Sequence, residues 1–419
     1  MDLRTVFRYQ LGRRDAIEAV SRDSASLNTG MVLVLITAIP RNYDQIYWRE
    51  SDAWPYWLFA PLIFSLFSGT FLFGFIYFGF IRGWLDDPRS VPVRQQWRRF
   101  MALFWMTAPI AWLYAIPVER FLDPYHAAMA NLGLLLGVAG WRVCLMARVF
   151  SVLQPVQFSL SLGWVLAPAC FEVLVVAFCG GLAIALGGMG GIQYSPEDSF
   201  MITAANVAFY GAIVLLGVVA ILLVRAERRF VARPLPELAP GRLPVVGLAI
   251  VVTVWFVISI PAQIEQYRFV AHVALLRARD YRGALNYLAR HRRTDFPASR
   301  RIEPSPFELF SRREFPETLA NLRATDPQWV KRLYLDYLRV VFSDPWLRIN
   351  ADEMLKVLGA LERLPEGKEW VDRNRERFKS LKPLLAAPRD DATSKKPDDS
   401  VVQIEMMLRN LGIDPETLK

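Results

Sequence analysis

The sequence predicts an all-α polytopic membrane protein, in which a transmembrane helix bundle of six to seven spans precedes a C-terminal helical soluble domain. Hydrophobic residues make up 53% of the 419 residues. The mean hydropathy of +0.24 suggests a mixture of membrane core and soluble appendage. Six apolar stretches are long enough to cross a hydrocarbon core of about 30 Å. Arginine is concentrated in alternate loops between them, which is typical of a chain that crosses a membrane several times.

The predicted spans lie within the first 263 residues of the chain. Residues 1–25 are basic, with apolar residues at helical spacing, and predict one or two short helices on the membrane surface. The first apolar stretch, 26–40, is short and is compatible with a thin span or a half-inserted helix. Residues 26–263 form the predicted bundle. Its clearer spans are predicted over 59–81, 100–117, 127–150, 160–187, 200–224 and 243–261.

The arginine distribution predicts the orientation of the bundle. Segments 1–23, 82–99 and 225–242 each carry five Arg, whereas the loop 118–126 carries one and the loop 188–199 none. The positive-inside rule places the arginine-rich segments in the cytoplasm. Seven crossings from a cytoplasmic N-terminus would leave the C-terminal domain outside. We therefore expect a multi-pass protein of the bacterial inner membrane, with a periplasmic C-terminal domain.

The remaining chain is more polar. Residues 264–385 predict a helical domain, in which 270–291 looks like one helix pair of the tetratricopeptide type, present as a single copy. Further helical patterns cover 327–341 and 350–364. Residues 386–400 contain almost no large apolar side chain and predict a flexible linker.

The final segment, 401–419, recovers an apolar pattern at helical spacing. A helix this short is marginal alone, so it needs a surface to pack on. We expect it to be a tethered docking helix for a partner. The alternatives are that it folds back onto its own domain or lies on the membrane. Its apolar face consists of Val401, Ile404, Leu408 and Leu411.

The residues that usually carry catalysis or cofactors are scarce. The three histidines, His126, His272 and His291, lie outside the six clearer spans, which argues against a haem with two axial histidines and against a rhomboid-type protease. The cysteines at 144, 170 and 179 lie in apolar stretches and form no CxxC motif. No nucleotide-binding or metalloprotease motif is found. We therefore expect no enzymatic activity, no cofactor, no metal and no nucleic-acid partner.

Charged residues inside the spans are the exception to the apolar pattern. Between Asp123 and Glu197 the only acidic residue is Glu172, and Arg142 lies at an overlapping depth on the preceding span. A charge at the bilayer centre costs roughly 2.5–3.5 kcal/mol, which pairing offsets. We expect an intramembrane pair of Arg142 and Glu172. The alternatives are that Arg142 extends to lipid phosphates while Glu172 bonds Ser, Tyr or water, or that both form an ion-binding site.

Two further features concern the helix surfaces. Arg148 lies near the interface, where its side chain can extend to lipid phosphates. Ala177, Gly181 and Ala185 are spaced by four on one face, a small-xxx-small pattern that favours close helix packing within the chain.

The order of segments resembles a known family over residues 1–224. A basic arm precedes closely spaced Pro- and Gly-containing spans, and "WRVCLMARVFSVLQ" closes the fourth of them. This order looks like that of bacterial YIP1-type polytopic membrane proteins. The resemblance implies a five-span core, a membrane-organising or partner-binding role and no catalytic residues.

These observations predict an integral membrane protein that acts as a scaffold, an assembly factor or an accessory subunit. Its expected partners are membrane lipids and another membrane or periplasmic protein. The first alternative is a channel or transporter for a small solute or ion that uses Glu172 and Arg142. A lipid-active enzyme of unrecognised type is the second. A continuous polar cavity through the bundle would favour transport, and an aromatic-packed interior would favour the scaffold.

Overall fold

The computed structural model describes residues 2–44, 46–49, 54–77, 92–154, 156–189, 196–225, 238–297, 314–343, 350–381 and 399–417. These residues are helical apart from turns and an isolated parallel bridge between Asp23 and Ala239. The chain divides into two compact units, whose main boundary lies between Gln263 and Ile264. The first ten helices are α1 Leu3–Gln10, α2 Arg14–Arg22, α3 Ser26–Ile36, α4 Ala38–Asn42, α5 Trp54–Ile76, α6 Val93–Trp105, α7 Pro124–Leu153, α8 Phe158–Met189, α9 Pro196–Arg225 and α10 Val245–Arg277.

Six candidate membrane spans occur among the described residues, and they confirm the predicted class of multi-pass helical protein. Each is long and apolar enough to cross a bilayer, and each overlaps one of the six clearer spans of the sequence prediction. The second of them contains a break, because α6 is followed by two 3₁₀ helices, Ala108–Ala115 and Val118–Arg120. The candidates are Pro55–Ile76, Val93–Arg120, Tyr125–Leu153, Phe158–Val176, Phe200–Ile221 and Val245–Arg277.

The N-terminal segment forms two amphipathic helices, as predicted, but their apolar stripe is not on a membrane surface. Tyr9 and Ile17 are fully buried in the core of the first unit. The Tyr9 hydroxyl donates to the carbonyl of Leu103 at 2.7 Å. An amphipathic helix buries its stripe wherever apolar area is available, and the bundle offers more complementary packing than a lipid surface.

The short stretch that the sequence left ambiguous is a central helix of the bundle. Helix α3 is not among the six long apolar helices, yet it packs on α5 and α6, and Leu33 and Thr29 are fully buried. The Thr29 and Thr37 hydroxyls donate to backbone carbonyls four residues earlier, so these polar groups are satisfied inside the helix. Neighbouring helices surround α3, so it needs fewer consecutive apolar residues than a span that faces lipid.

The segment α3–α4 also extends over nearly the same height as the first part of α10. At its start, the Ser24 N–H donates to the Ala239 carbonyl at 3.1 Å. At its end, Gln263 Nε2 donates to the Tyr43 carbonyl at 2.8 Å, and Gln263 Oε1 accepts from the Trp48 N–H at 2.9 Å. From Val245 to Gln263, α10 rises about 27 Å. The segment therefore covers a distance close to the thickness of a hydrocarbon core.

The second unit is a helical domain with its own core, as the composition of residues 264–385 predicted. The predicted helix pair is present, because α10 ends at Arg277 and the next helix begins at Tyr281. Leu285 and Leu288 of that helix are fully buried. The segments predicted over 327–341 and 350–364 are also helical. The helices are α11 Tyr281–Ala289, α12 Glu314–Ala320, α13 Gln328–Ser343, α14 Ala351–Arg363, α15 Pro365–Arg373 and α16 Asp399–Asn410.

The tail helix α16 packs on its own domain, which corrects the expectation that it docks on a partner. Ile404 and Leu408 are fully buried, and Leu411 is almost so, within the core that α14 and α13 also form. The Asn410 side-chain amide donates to Glu362 of α14 at 2.9 Å. The alternative in which the helix folds back onto its own domain describes the structure. The predicted linker, 386–400, falls almost entirely outside the described residues.

Candidate functional site

Several polar side chains of the first unit meet at a break in the second span. Helix α6 ends at Trp105, and a 3₁₀ helix begins at Ala108. Pro109 explains the break, because it has no N–H to donate to the carbonyl of Trp105 four residues earlier. A broken helix leaves backbone groups that must be satisfied inside the protein, since the hydrocarbon core contains no water to bond them.

The N-terminal segment satisfies two of these backbone groups. The Tyr9 hydroxyl bonds the Leu103 carbonyl, and the Gln10 side-chain amide donates to the carbonyl of Met106. The Trp141 indole N–H in turn donates to the Gln10 carbonyl at 2.9 Å. Residues 9 and 10 thus connect the break to α7. The sequence did not indicate this role, because spacing alone does not show which surface an amphipathic stripe covers.

Arg142 of α7 binds to the same break. Its Nε donates to the Thr107 hydroxyl oxygen at 3.1 Å, and the Thr107 hydroxyl donates to the Phe104 carbonyl at 2.7 Å. The guanidinium carbon lies 5.0 Å from the centre of the Phe104 ring, within the range of a cation–π interaction. The direct partners of Arg142 are therefore a hydroxyl and an aromatic face at the end of α6.

Glu172 of α8 is the predicted partner of Arg142. It is half-buried, attracted electrostatically to Arg142, and hydrogen-bonded to Ser68 of α5. The ion pairs formed by the described residues, with N–O distances of 4 Å or less, do not include Arg142 with Glu172. The structure thus places the two charges within electrostatic range of each other but joins each first to a hydroxyl. The direct pair stays a prediction.

The other predicted surface residues lie on α7 and α8. Arg148 is exposed, and the aliphatic part of its side chain lies against the turn at Gly12, where a β-carbon would be 3.3 Å from Arg148 Cγ. Gly12 has a φ of +67°, so a side chain there would also strain the backbone. The side chains of Ala177, Gly181 and Ala185 fall outside the described part of α8, and the packing predicted for them stays a prediction.

Aromatic side chains fill much of the interior around the break. Phe100 lies 5.6 Å from Phe73 of α5 and 6.2 Å from Phe150 of α7, measured between ring centres. Trp112 of the 3₁₀ helix lies edge-on to Trp255 of α10 at 6.0 Å. Such offset and edge-on arrangements are the favoured ones for aromatic pairs. The interior between α5, α6 and α7 is therefore packed rather than open.

The second unit contains a partly buried charge pair, which the sequence did not predict. Arg282 donates to both carboxylate oxygens of Asp326, at 2.8 and 2.6 Å, and the Arg323 N–H donates to the same carboxylate at 2.8 Å. Burial raises the pKa of Asp326, but these hydrogen bonds outweigh it and leave the pKa below its usual value. The pair joins the start of α11 to the turn before α13, so its charges stabilise the fold of the second unit.

The described residues contain no group of three or more His, Cys, Asp or Glu that could hold a metal ion. Comparison with known proteins found no matching family model, no matching curated protein and no matching solved structure. The resemblance to YIP1-type proteins is therefore neither supported nor contradicted. What the described residues contain is a packed helical bundle of membrane-span type, whose internal arginine is bound to the end of a broken helix.

Proposed function

We propose that the chain is a scaffold, an assembly factor or an accessory subunit of the bacterial inner membrane, and that it acts by binding another protein. The observation that carries this proposal is the use of Arg142. Its guanidinium is engaged with Thr107 and Phe104 at the break in the second span, and aromatic side chains fill the space around that break. A charge committed to holding a helix together is not a charge on a transport path.

A topology with seven crossings accompanies this proposal. Described residues from each of the three arginine-rich segments meet at one end of the first unit, since Val20, Arg94 and Leu238 line one cavity there. The positive-inside rule assigns that end to the cytoplasm. The segment α3–α4 covers nearly the same height as the first part of α10, and in this topology it supplies the seventh crossing. The C-terminal domain then lies in the periplasm, where a partner protein would bind it.

The partner-binding proposal can be tested at the surface of α16. Among the described residues after Tyr267, the large apolar side chains that remain exposed are Val402 and Met406, one helical turn apart. We expect the full-length protein, purified in mild detergent, to carry a partner in fixed stoichiometry. Val402→Glu combined with Met406→Glu should release that partner without changing the melting temperature. The exposed neighbour Gln403 provides the control, since Gln403→Glu adds charge to the same helix and should retain the partner.

The alternative is a channel or transporter, and the polar group formed by Glu172 and Ser68 is the observation that favours it. The purified protein can be reconstituted into liposomes to measure ion and solute flux. Flux that disappears in Glu172→Gln, from a protein that purifies without a partner, would overturn the scaffold proposal. The absence of flux, together with a partner that the α16 variant releases, supports the scaffold proposal.

A further inference from the structure

The arginine-rich end of the bundle contains a cavity of about 410 Å³ between α2, the start of α6 and the chain that leads into α10. Three arginines from α6 line it, namely Arg94, Arg98 and Arg99. Arg94 and Arg98 are one helical turn apart and exposed, whereas Arg99 is half-buried. The volume is within the range of small-ligand sites, and the charge of its lining is predominantly positive.

The side chain of Arg99 contains a buried donor that has no partner within the protein. Its Nε is buried and forms no hydrogen bond within the protein. A buried donor that stays unsatisfied costs free energy, and the cost is larger for a charged group. Guanidinium groups bind phosphate oxygens bidentately, so the exposed Arg94 and Arg98 can bind a phosphate in this cavity, next to the charge of Arg99.

Among the described residues that line the cavity, the carboxylate is that of Asp23, and it is already engaged. Asp23 accepts a hydrogen bond from the Ala25 N–H at 2.8 Å, at the turn into α3. The same carboxylate lies against the backbone at Gly241, where a β-carbon would be 1.5 Å from Asp23 Oδ1. Asp23 therefore holds two chain segments together, and the three guanidinium groups are left to an external anion.

The apolar lining and the position of the cavity favour a lipid over a soluble phosphate. The apolar side chains that line it and remain accessible include Leu27, which is half-buried, and Pro92 and Leu238, which are exposed. The arginines occupy the first two turns of a candidate span, at the boundary where lipid phosphates lie. Trp97, between them, donates from its indole N–H to Thr70 of α5, and tryptophan is typical of this boundary.

We propose that this cavity binds the phosphate headgroup of an anionic membrane phospholipid. Arg94, Arg98 and Arg99 surround the phosphate, and the apolar lining residues contact the start of the acyl chains. The site is independent of whether the protein acts as a scaffold or a transporter, because it uses none of the residues invoked for either. In the topology above, the lipid would belong to the cytoplasmic leaflet.

The proposal is tested by measuring lipid affinity of the delipidated full-length protein in detergent, with dioleoyl phosphatidylglycerol and dioleoyl phosphatidylcholine as probes. We expect phosphatidylglycerol to bind more tightly and to raise the melting temperature. Arg94→Gln with Arg98→Gln should weaken that binding by roughly five-fold for each arginine removed. Both side chains are exposed, so this variant should fold. Arg99→Gln, measured separately, should weaken binding at least as much as the removal of one exposed arginine does.

The matched control is Arg4→Gln with Arg13→Gln, which removes the same charge from exposed positions outside the cavity. Its affinity for phosphatidylglycerol should stay within two-fold of that of the unmodified protein. Equal losses in the control and the cavity variant would overturn the site, since charge alone would then explain binding. Equal binding of the two lipids would also overturn it. Glycerol phosphate that stabilises the protein as well as the lipid does would overturn the lipid as the ligand.

Discussion

At the scale of single residues, polar side chains inside the bundle bond backbone carbonyls around the break in the second span. Tyr9, Gln10 and Thr107 each bond a carbonyl around the break that Pro109 causes. Arg142 joins this group through the Thr107 hydroxyl. Arg142 and Glu172 lie at overlapping depths in the predicted spans, but depth does not determine which residues on neighbouring helices come into contact. Thr and Ser are common in spans, and nothing in the sequence marked Thr107 and Ser68 as the partners of Arg142 and Glu172.

The coupling between Arg142 and Glu172 can be measured with a double-mutant cycle. We expect Glu172→Gln to lower the melting temperature in detergent, because it removes an attraction that acts across a low-dielectric interior. Adding Arg142→Gln should restore part of the loss, with a coupling energy of about 0.5–3 kcal/mol. Arg148→Gln is the control, and its effect should add to that of Glu172→Gln. Additive losses for Arg142 and Glu172 would contradict the pair.

The Arg282–Asp326 pair gives a pH-dependent prediction for the second unit. Because the pKa of Asp326 is lowered in the folded protein, the pair stabilises the domain above the unfolded pKa of about 4. This stability is lost as the pH falls through the folded pKa. At pH 7, Asp326→Asn should reduce the free energy of unfolding by roughly 2–3 kcal/mol, because it leaves a partly buried guanidinium without its counter-ion.

Hydrogen exchange of α11 and α13 measures this effect in the full-length protein. The difference in protection between the variant and the unmodified protein should shrink as the pH is lowered below about 4. A difference that is constant with pH would mean that Asp326 acts through packing and not through its charge.

At the scale of elements, helices α3 and α6 approach each other closely at Gly30. A β-carbon on Gly30 would lie 2.8 Å from Trp105 Cβ and 3.3 Å from the Met106 nitrogen. Both are rigid positions, so Gly30→Ala should force the helices apart and cost about 1–3 kcal/mol of unfolding free energy. Gly74 of α5 has no atom within 4 Å of the corresponding position. Gly74→Ala should therefore be neutral or stabilising by up to about 1 kcal/mol. Thermal unfolding in detergent compares the two variants.

The tail helix gives a second test at this scale. Leu408 is fully buried between α16 and the rest of its domain, while Met406 on the same helix is 56% exposed. Leu408→Ala should destabilise the second unit by about 2–5 kcal/mol, because it leaves a cavity in the core. Met406→Ala should change its stability by less than about 0.5 kcal/mol. If both variants are neutral by hydrogen exchange of α14, then α16 is not part of the core.

At the scale of the whole molecule, the number of crossings determines the side on which the C-terminal domain lies. Because α16 is part of that domain's core, a topology reporter is best fused after residue 419, where it leaves the packing intact. Alkaline phosphatase at this position should be active, and a cytoplasmic fluorescent reporter should not fluoresce. Fusions within 226–237 should show the reverse pattern. A cytoplasmic C-terminus would contradict the crossing by α3–α4.

The sequence by itself determined the class of the protein and the positions of its long spans. Those features depend on the number and spacing of apolar residues, which a single chain displays directly. The helix pair around residues 270–291 and the helices of the C-terminal domain were predictable for the same reason. The tertiary structure decided which surfaces the amphipathic segments cover. Residues 3–22 and 401–411 have apolar stripes that suit a membrane or a partner equally well, and both stripes are buried within the chain because complementary helices are present.

The tertiary structure alone also decided where the charges act. An arginine in a span predicts a need for a partner, but the partner depends on helix rotation and on local breaks in the backbone. Thr107 became the partner of Arg142 because Pro109 ends α6 beside α7. The cavity at Arg94, Arg98 and Arg99 likewise forms only because α2 and the chain before α10 meet the start of α6. These segments are far apart in sequence, and hydropathy carries no information about their contact.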